Sequence, residues 1–572
     1  MPKVDRELSK VFPQYDNLVL QLLFNRGLIE PKEIEEFLNP DYYKFHHDPF
    51  LFKDMEAAVD LIISHVKKGS KILIYGDYDA DGVTSSAIML DVLTILKAKP
   101  SVYIPHRVSE GYGMNKKALK ILANTGVELL ITVDNGIRNK EEVEYAKSLG
   151  MDVIITDHHV APKEKEELPK CLIINPILTD EKYPFKYLAG VGVASKLALA
   201  LIRKSKLSET DKVKLEEKIL DLVAVGTVAD CVTLLGENRV LVKKGLEMLN
   251  NTKRLGLKEL IKAAKINSDK KIDSWNIGFQ ISPRLNAAGR MAHANTAFEL
   301  LTTNDQSEAE DLANGLNLRN VDRQKVTEEI VNEIVGKLIA EPPKDKIIIA
   351  VSPSIYGKGK PWNEGIIGLV AGRICEKFYL PTLVITGNEH EMKASGRSIE
   401  DFNLIKAIEA IRDNLEKYGG HAAACGLSVK GIENLEKFKN NITELANLQL
   451  KNLKLNSKLK IEAEIDLAKV DEDLISILEK FSPYGEDNNR PVFSSLGVNI
   501  VDITNMGIDG KHLKLKIRSN NSKVRNALGF GQSEEWKDLR IGDKIDLAYY
   551  VELNEFNGRK EVQLKIVDIQ RT

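Results

Sequence analysis

VIITDHHV, residues 153–160, opens as an apolar strand and stops on a carboxylate followed by two imidazoles. The Val-Ile-Ile run has the composition of a strand buried on both faces of a parallel sheet. In open sheets of that kind, sites form beyond the carboxyl ends of the strands. Two other segments end the same way. KILIYG (71–76) runs into Asp77, Asp79 and Asp81, and ELLITV (128–133) runs into Asp134, Asn135 and Gly136. Helical periodicity over 83–98, 115–124 and 139–148, with further strands near 101–104 and at CLIINP (171–176), gives the strand–helix alternation of a doubly wound parallel sheet. If the three polar-ended strands are neighbours, their acidic and imidazole residues meet at one edge.

The chain has 572 residues, too many for one core, and about three to five domains are expected. Apolar content of 43%, charged content of 29% and a formal net charge of −2 describe an ordinary soluble protein. No run approaches the ~20 apolar residues of a membrane span, and MPKVDRELSK lacks a signal-peptide apolar core, so the expectation is a cytoplasmic protein without membrane contact. The four cysteines lie far apart, which points away from a zinc knuckle or a disulfide framework. With so small a net charge, nucleic-acid binding must come from local clusters.

The expected organisation is multidomain α/β. An N-terminal helical segment (1–50) precedes a parallel-sheet unit (51–250). A helical connector (251–342) follows, with SPRLNAAGR (282–290) as a loop and one long helix, leading to a smaller α/β unit (343–450). A linker and a β-barrel of the OB type close the chain (451–572), because short alternating strands dominate from about 490.

Several carboxylates within ~4–6 Å raise one another's pKa and repel unless a cation sits among them. A single Gly turn or a single His-His pair reads more simply as structure, but three strands ending alike point to metal chemistry. Mixed Asp oxygens and imidazole nitrogens suit Mn²⁺ ahead of Mg²⁺ or Zn²⁺. Four or more carboxylates favour two ions about 3.5–4 Å apart, as in phosphoester hydrolysis. Asp230, in VGTVADCV, adds a fourth element, since an Asp among apolar residues is costly unless paired or metal-bound.

DYDADG, VDNG, DHH and VADCVTLLGENR resemble the four motifs of the DHH phosphoesterases, and specifically the RecJ single-strand-specific 5′→3′ exonucleases. IPHRVSEGYGMN, SPRLNAAGRM, WNEGIIGLVAGRICEKF, SGRS and GGHAAACGLS resemble segments of the same family in the same order. The resemblance implies that Asp81, Asp134, His158 and Asp230 hold the tighter ion and that Asp79 with Asp134 holds the second. It makes Asp77 a supporting residue or an occasional ligand, His159 a contact to the scissile phosphate, and Asp157 an acceptor that orients a neighbouring imidazole or backbone. The implied parallel-sheet DHH domain is joined by a long helix to a DHH-associated domain. In that domain Gly419, Gly420 and His421, with Ser395 and Arg397, face the catalytic cleft and recognise the 5′ end. Arg107, Arg284, Asn286 and Arg290 are candidates for backbone contacts. Tyr112 is a candidate for stacking on a base or for ordinary packing, and Lys511, Lys514, Lys516 and Arg518 are candidates for tracking the strand on the barrel. Asp487 departs from the family, which usually has Gly there, and Cys425 takes a position usually small.

The implied activity is a Mn²⁺-dependent exonuclease on single-stranded DNA, releasing 5′-mononucleotides in repair and recombination by a two-metal mechanism. The family would have it act as a monomer alongside single-strand-binding protein and a helicase. Two alternatives are a DHH phosphodiesterase for short oligoribonucleotides or cyclic dinucleotides, and a catalytically inactive single-strand-binding scaffold. The barrel argues against the first, and the filled ligand positions argue against the second.

Overall fold

A computed structural model describes residues 6–519, 523–556 and 559–572. The first sheet is parallel. It comprises β1 (Lys71–Tyr75), β2 (Lys99–Tyr103), β3 (Val127–Val133), β4 (Asp152–Thr156) and β5 (Leu172–Ile174) in the order β2-β1-β3-β4-β5. The strands β1, β3 and β4 are therefore adjacent. Tyr75 pairs with Thr132 and Val133 with Thr156, so the residues after all three emerge together. Alternate side chains enter two cores. Ile72, Ile74, Leu129 and Ile131 pack with helices Met55–Lys68, Ala80–Ile95, Gly190–Lys204 and Glu209–Ala229. Leu73, Tyr75 and Leu130 pack under helices Lys116–Asn124 and Lys140–Ser148. This two-sided burial is why the strands read as unbroken apolar runs.

Helix Gln306–Ala340 is 35 residues long, about 50 Å at 1.5 Å per residue. Its first turns place Ala309, Ala313 and Leu316 in the core of the first α/β unit. Its last turns place Ile330, Val331, Ile334 and Val335 against the second α/β unit. That unit contains β6 (Ile348–Val351), β7 (Thr382–Gly387), β8 (Glu391–Arg397), β9 (Lys417–His421) and β10 (Ala424–Lys430), in the order β6-β7-β8-β10-β9. The third sheet has β11 (Ala463–Glu464), β12 (Phe493–Met506), β13 (His512–Arg518), β14 (Arg525–Gly529), β15 (Lys544–Phe556) and β16 (Arg559–Arg571). Pairing of β12 with β15 as well as β13 closes it into a barrel, which removes free sheet edges.

Segment 282–290 is a helix, Ser282–Met291, rather than the expected loop. Pro283 sits in its first turn, where a missing N–H costs nothing. Ala287, Ala288 and Gly289, which read as loop residues, permit close approach instead: a Cβ on Gly289 would lie 2.5 Å from the Tyr78 carbonyl oxygen. The helix is thereby pressed against the DYDADG turn.

The N-terminal helices Asn17–Asn25 and Pro31–Leu38 complete the core of the C-terminal barrel. Leu20, Leu22, Leu23 and Phe37 share a cluster with Phe481, Phe493, Leu515 and Leu547, and buried Arg26 pairs with Glu462 at 2.7 Å. The GENR end of the fourth motif is structural. Glu237 is fully buried and pairs with Lys196 at 2.6 Å, while the Arg239 guanidinium donates to carbonyls of Phe37, Lys480, Phe481, Ser482 and Pro483.

Asp487 lies in the left-handed region at φ 56, which explains the glycine that the family prefers there. An exposed Asp tolerates this conformation and a β-branched residue does not. Asp487→Val is expected to cost about 1–2 kcal/mol and Asp487→Gly to leave stability unchanged or slightly higher. Denaturant midpoints of the full chain check both.

Candidate metal centre and strand groove

Each sheet-edge carboxylate is fixed by a different backbone device. Asp79 caps helix Ala80–Ile95, its Oδ1 accepting from the amides of Asp81 and Gly82 at 3.0 and 3.1 Å. Asp81 is the second residue of that helix, in its first turn. Its two oxygens accept from the amides of Gly190 and Val191, each at 2.7 Å, at the start of helix Gly190–Lys204, where the helix dipole also favours a negative charge. Asp134 is held at φ 63, with its amide donating to the Thr156 carbonyl at 3.0 Å and its carbonyl accepting from the Tyr112 hydroxyl at 3.1 Å. A non-Gly residue in that conformation is a strained one, of the kind found at functional sites. Asp230 is the C-cap of helix Glu209–Ala229.

The donor atoms converge. His158 Nε2 lies 3.2 Å from Asp134 Oδ1, 3.6 Å from Asp230 Oδ2 and 4.0 Å from Asp81 Oδ2. Three sets have their donor atoms within 4.8 Å of one another: Asp81, His158 and Asp230; Asp77, Asp79 and Asp134; and Asp134 with His158 and His159. Asp134 belongs to two of them. Asp77 thus stands among the potential donors.

The electrostatics call for a cation. Burial and then neighbouring carboxylates push Asp77, Asp134 and Asp230 well above the usual carboxylate range. Burial, then Asp79, raises Asp81 to about 7. Burial, then His159, lowers His158 to about 4, which leaves a neutral imidazole with a lone pair to give. Asp77 Oδ1, Asp134 Oδ1 and His158 Nε2 are buried without a hydrogen-bond partner. Three orphaned buried acceptors at one point are costly in a protein alone and are what divalent ions require. The residues present fit such a group.

Asp157 is fully buried and tied to its neighbours. Oδ1 accepts from the amides of His158 and His159 at 2.7 and 3.1 Å and from His159 Nδ1 at 2.8 Å, and Oδ2 accepts from the Ile137 amide at 2.9 Å. Burial alone would raise this carboxyl, but His159 and the other donors hold it low. The Tyr112 hydroxyl lies 2.9 Å from His159 Nδ1, so Tyr112 braces both Asp134 and His159. Those contacts, and the Gly190 and Val191 amides, were not legible as site features; the one local signal was the glycine-containing start of LAGVGVASKLA.

Arginines occupy the next zone. A 350 Å³ cavity between the first two α/β units is lined by Tyr78, Arg107, Arg290, Ser395, Arg397 and Lys417. Arg107 lies over the Tyr78 ring at 4.7 Å, and Arg397 Nη1 is 3.3 Å from Ser395 Oγ. Burial, then Arg107 and Arg323, lowers Arg290 to about 9, and the carboxylate in the lining, Glu364, is taken up by Lys393. Arg290 also borders a 990 Å³ groove that runs from Asn286 past the exposed, stacked rings of Trp275 and Phe279 to Arg490 and Lys565 on the barrel.

The other expected residues divide. Asn286 lines the groove and accepts from the Ala80 amide at 2.8 Å. Arg284 instead ties its helix to the long helix through Asn317 and to the Gln280 carbonyl. Gly419, Gly420 and His421 are exposed on edge strand β9, which pairs with β10 and not with the β8 strand that carries Ser395 and Arg397. Lys511, just before β13, and Lys516, on it, pair with Asp509 and Asp502, and the barrel faces the groove with Arg490, Tyr550 and Lys565.

Known proteins resemble this arrangement along the whole chain. The N-terminal domain of the DHH family matches residues 71–227, the DHHA1 domain residues 344–448 and the RecJ OB domain residues 461–568. The single-stranded-DNA-specific exonuclease RecJ of Bacillus subtilis is 37% identical over 96% of this chain and 67% of its own length. That of Escherichia coli is 31% identical over 90% of each. The crystal structure of Thermus thermophilus RecJ in complex with Mn²⁺ superposes with a TM-score of 0.81 at 26% identity, over 99% of this chain and 78% of that one. A Mg²⁺ complex of the same enzyme gives 0.76. With a parallel sheet whose three strand ends gather donors that fit a divalent ion, and relatives of this similarity over nearly its full length, the chain belongs to the RecJ family of single-stranded-DNA-specific exonucleases.

Proposed function

We propose that this metal-dependent nuclease degrades single-stranded DNA from the 5′ end, releasing 5′-mononucleotides in repair and recombination, with two Mn²⁺ ions as its preferred cofactor and Mg²⁺ as the second candidate. The observation that carries the reading is the pairing of three orphaned acceptors at the sheet edge with an arginine-lined pocket at the end of a long groove.

Asp81, Asp134, His158 and Asp230 would hold one ion, and Asp77, Asp79 and Asp134 the other. When bound, such ions supply Lewis acidity, lowering the pKa of a water and neutralising charge on the phosphate. The protein's own part is positional. Gly190 and Val191 keep Asp81 from rotating. Asp79 commits Oδ1 to its helix cap and keeps Oδ2 for an ion. Asp157 holds His159 by Nδ1, leaving Nε2 to donate to a non-bridging phosphate oxygen. Arg107, Arg290 and Arg397 match a terminal phosphate, whose second charge needs more cationic partners than a diester does.

The test uses a 5′-phosphorylated single strand labelled at either end, with Mn²⁺. Label at the 5′ end is expected as mononucleotide before any 3′ label appears, and chelation is expected to stop turnover. Faster hydrolysis of a diribonucleotide, or release from the 3′ end first, would overturn the reading. Arg397→Ala is expected to reduce the preference for a 5′-phosphate over a 5′-hydroxyl by about 10-fold or more, since hydrogen bonds to charged groups contribute about 1.5–3 kcal/mol. Arg397→Lys should restore little of it, because an ammonium cannot reproduce the planar fork. Competition between the two substrates measures the ratio.

The same reading has the enzyme working in the cytoplasm as a monomer, beside single-strand-binding protein and a helicase. Light scattering on the eluting protein tests the monomer. Among the described residues no helix is long and apolar enough to cross a membrane.

A further inference from the structure

The loop that follows Asp230 ends against a segment from the far end of the chain. Cys231 takes a left-handed conformation, φ 56, and Leu234, three residues on, donates its amide to the Glu486 carbonyl at 2.9 Å. Gly485 lies on the Leu234 side chain: a Cβ there would come within 2.5 Å of Cδ1 and 3.0 Å of Cγ. Segment 481–488 is itself firmly built. Gly485 and Asn488 exchange backbone hydrogen bonds, and Asn488 donates to the carbonyls of Phe481 and Pro483 while accepting from Arg26 Nε. Phe481 is part of the barrel core, and Arg239 holds three of the segment's carbonyls together with that of Lys480.

We infer that residues 484–488 form a latch that sets the position of Asp230, so that Gly485 and Glu486 are positioning residues for the metal centre. The inference rests on reading Asp230 as a metal donor. A helix end fixes the loop on one side and the latch fixes it on the other, and so short a connection has little slack to absorb a shift. By linkage, seating of the barrel favours metal binding and metal favours seating of the barrel by the same factor.

The test is the Mn²⁺ affinity of the full chain, read from the electron paramagnetic resonance signal of free Mn²⁺. Gly485→Ala is expected to weaken binding about 10-fold, as loss of a residue supporting a ligand does. Adding Leu234→Ala, which removes the atoms the new methyl strikes, should recover most of the affinity. In the wild-type chain, Mn²⁺ should slow amide hydrogen exchange at 484–488 as well as at 231–236, and this measurement stands even if the variants do not fold. Asp230→Asn separates the two levels. Unchanged affinity in that variant would remove the metal reading of Asp230 and the latch with it. If Asp230→Asn weakens binding while Gly485→Ala stays within twofold of wild type, or if Mn²⁺ protects 231–236 but not 484–488, the latch alone is overturned.

Discussion

Asp134→Asn is expected to lower turnover by at least about three orders of magnitude, on the scale seen when a central catalytic group is removed, while single-stranded DNA still binds. Asparagine is the substitution of choice because the backbone stands at φ 63, a conformation Asn tolerates and Ala does not. Asp134 belongs to two donor sets, as His158 does, and it is the carboxylate that the two proposed ion positions share, so the variant weakens both at once. The same change should stabilise the metal-free protein. Asp134 is buried among Asp77, Asp79, Asp81 and Asp230, which raise its pKa together with burial, and neutralising it relieves that repulsion. Thermal melting with and without Mn²⁺ separates the effects. The wild type should melt higher on adding metal, by mass action; the variant should start higher and gain little. A variant that is less stable without metal, or that gains as much from it, would show Asp134 to be a structural residue.

The sheet and its polar edge were legible because their signals are local. KILIYG, ELLITV and VIIT each announce a doubly buried strand, and the residues directly after them carry the chemistry. Their adjacency followed from the parallel pattern, and the strand order agrees with it. What escaped reading depends on contacts made across the chain. The N-terminal helices complete a barrel core more than 400 residues away in sequence, as the Arg26 bond to Glu462 shows, and no local pattern encodes a partner at that separation. SPRLNAAGR was misread because its small residues serve close packing against Tyr78. Motif residues also divide by role in ways spacing does not reveal. Asp230 reaches the donor cluster at the sheet edge, whereas Glu237 and Arg239, seven and nine positions on, are buried in structural contacts. Arg284 and Arg290 lie in one helix, yet only Arg290 lines the pocket.

Gly190→Ala carries the second large effect, through a residue with no functional group. A Cβ at 190 would stand 2.4 Å from Asp134 Oδ1 and 2.6 Å from its Cγ. Asp134 has little room to yield, being buried and bound at both its amide and its carbonyl. The start of helix Gly190–Lys204 must then withdraw, and with it go the two amides that hold Asp81. One methyl group thus disturbs two donors that follow adjacent strands. Turnover is expected to fall about 100-fold, the upper range for loss of a residue that supports metal ligands. Raising the Mn²⁺ concentration should recover part of it, because the ligands remain and only their placement is lost. Asp134→Asn, which removes a ligand, should show no such recovery. The contrast between the two Mn²⁺ titrations decides the matter. If Gly190→Ala turned over at the wild-type rate at low Mn²⁺, the close approach of that helix to Asp134 would have no part in building the centre.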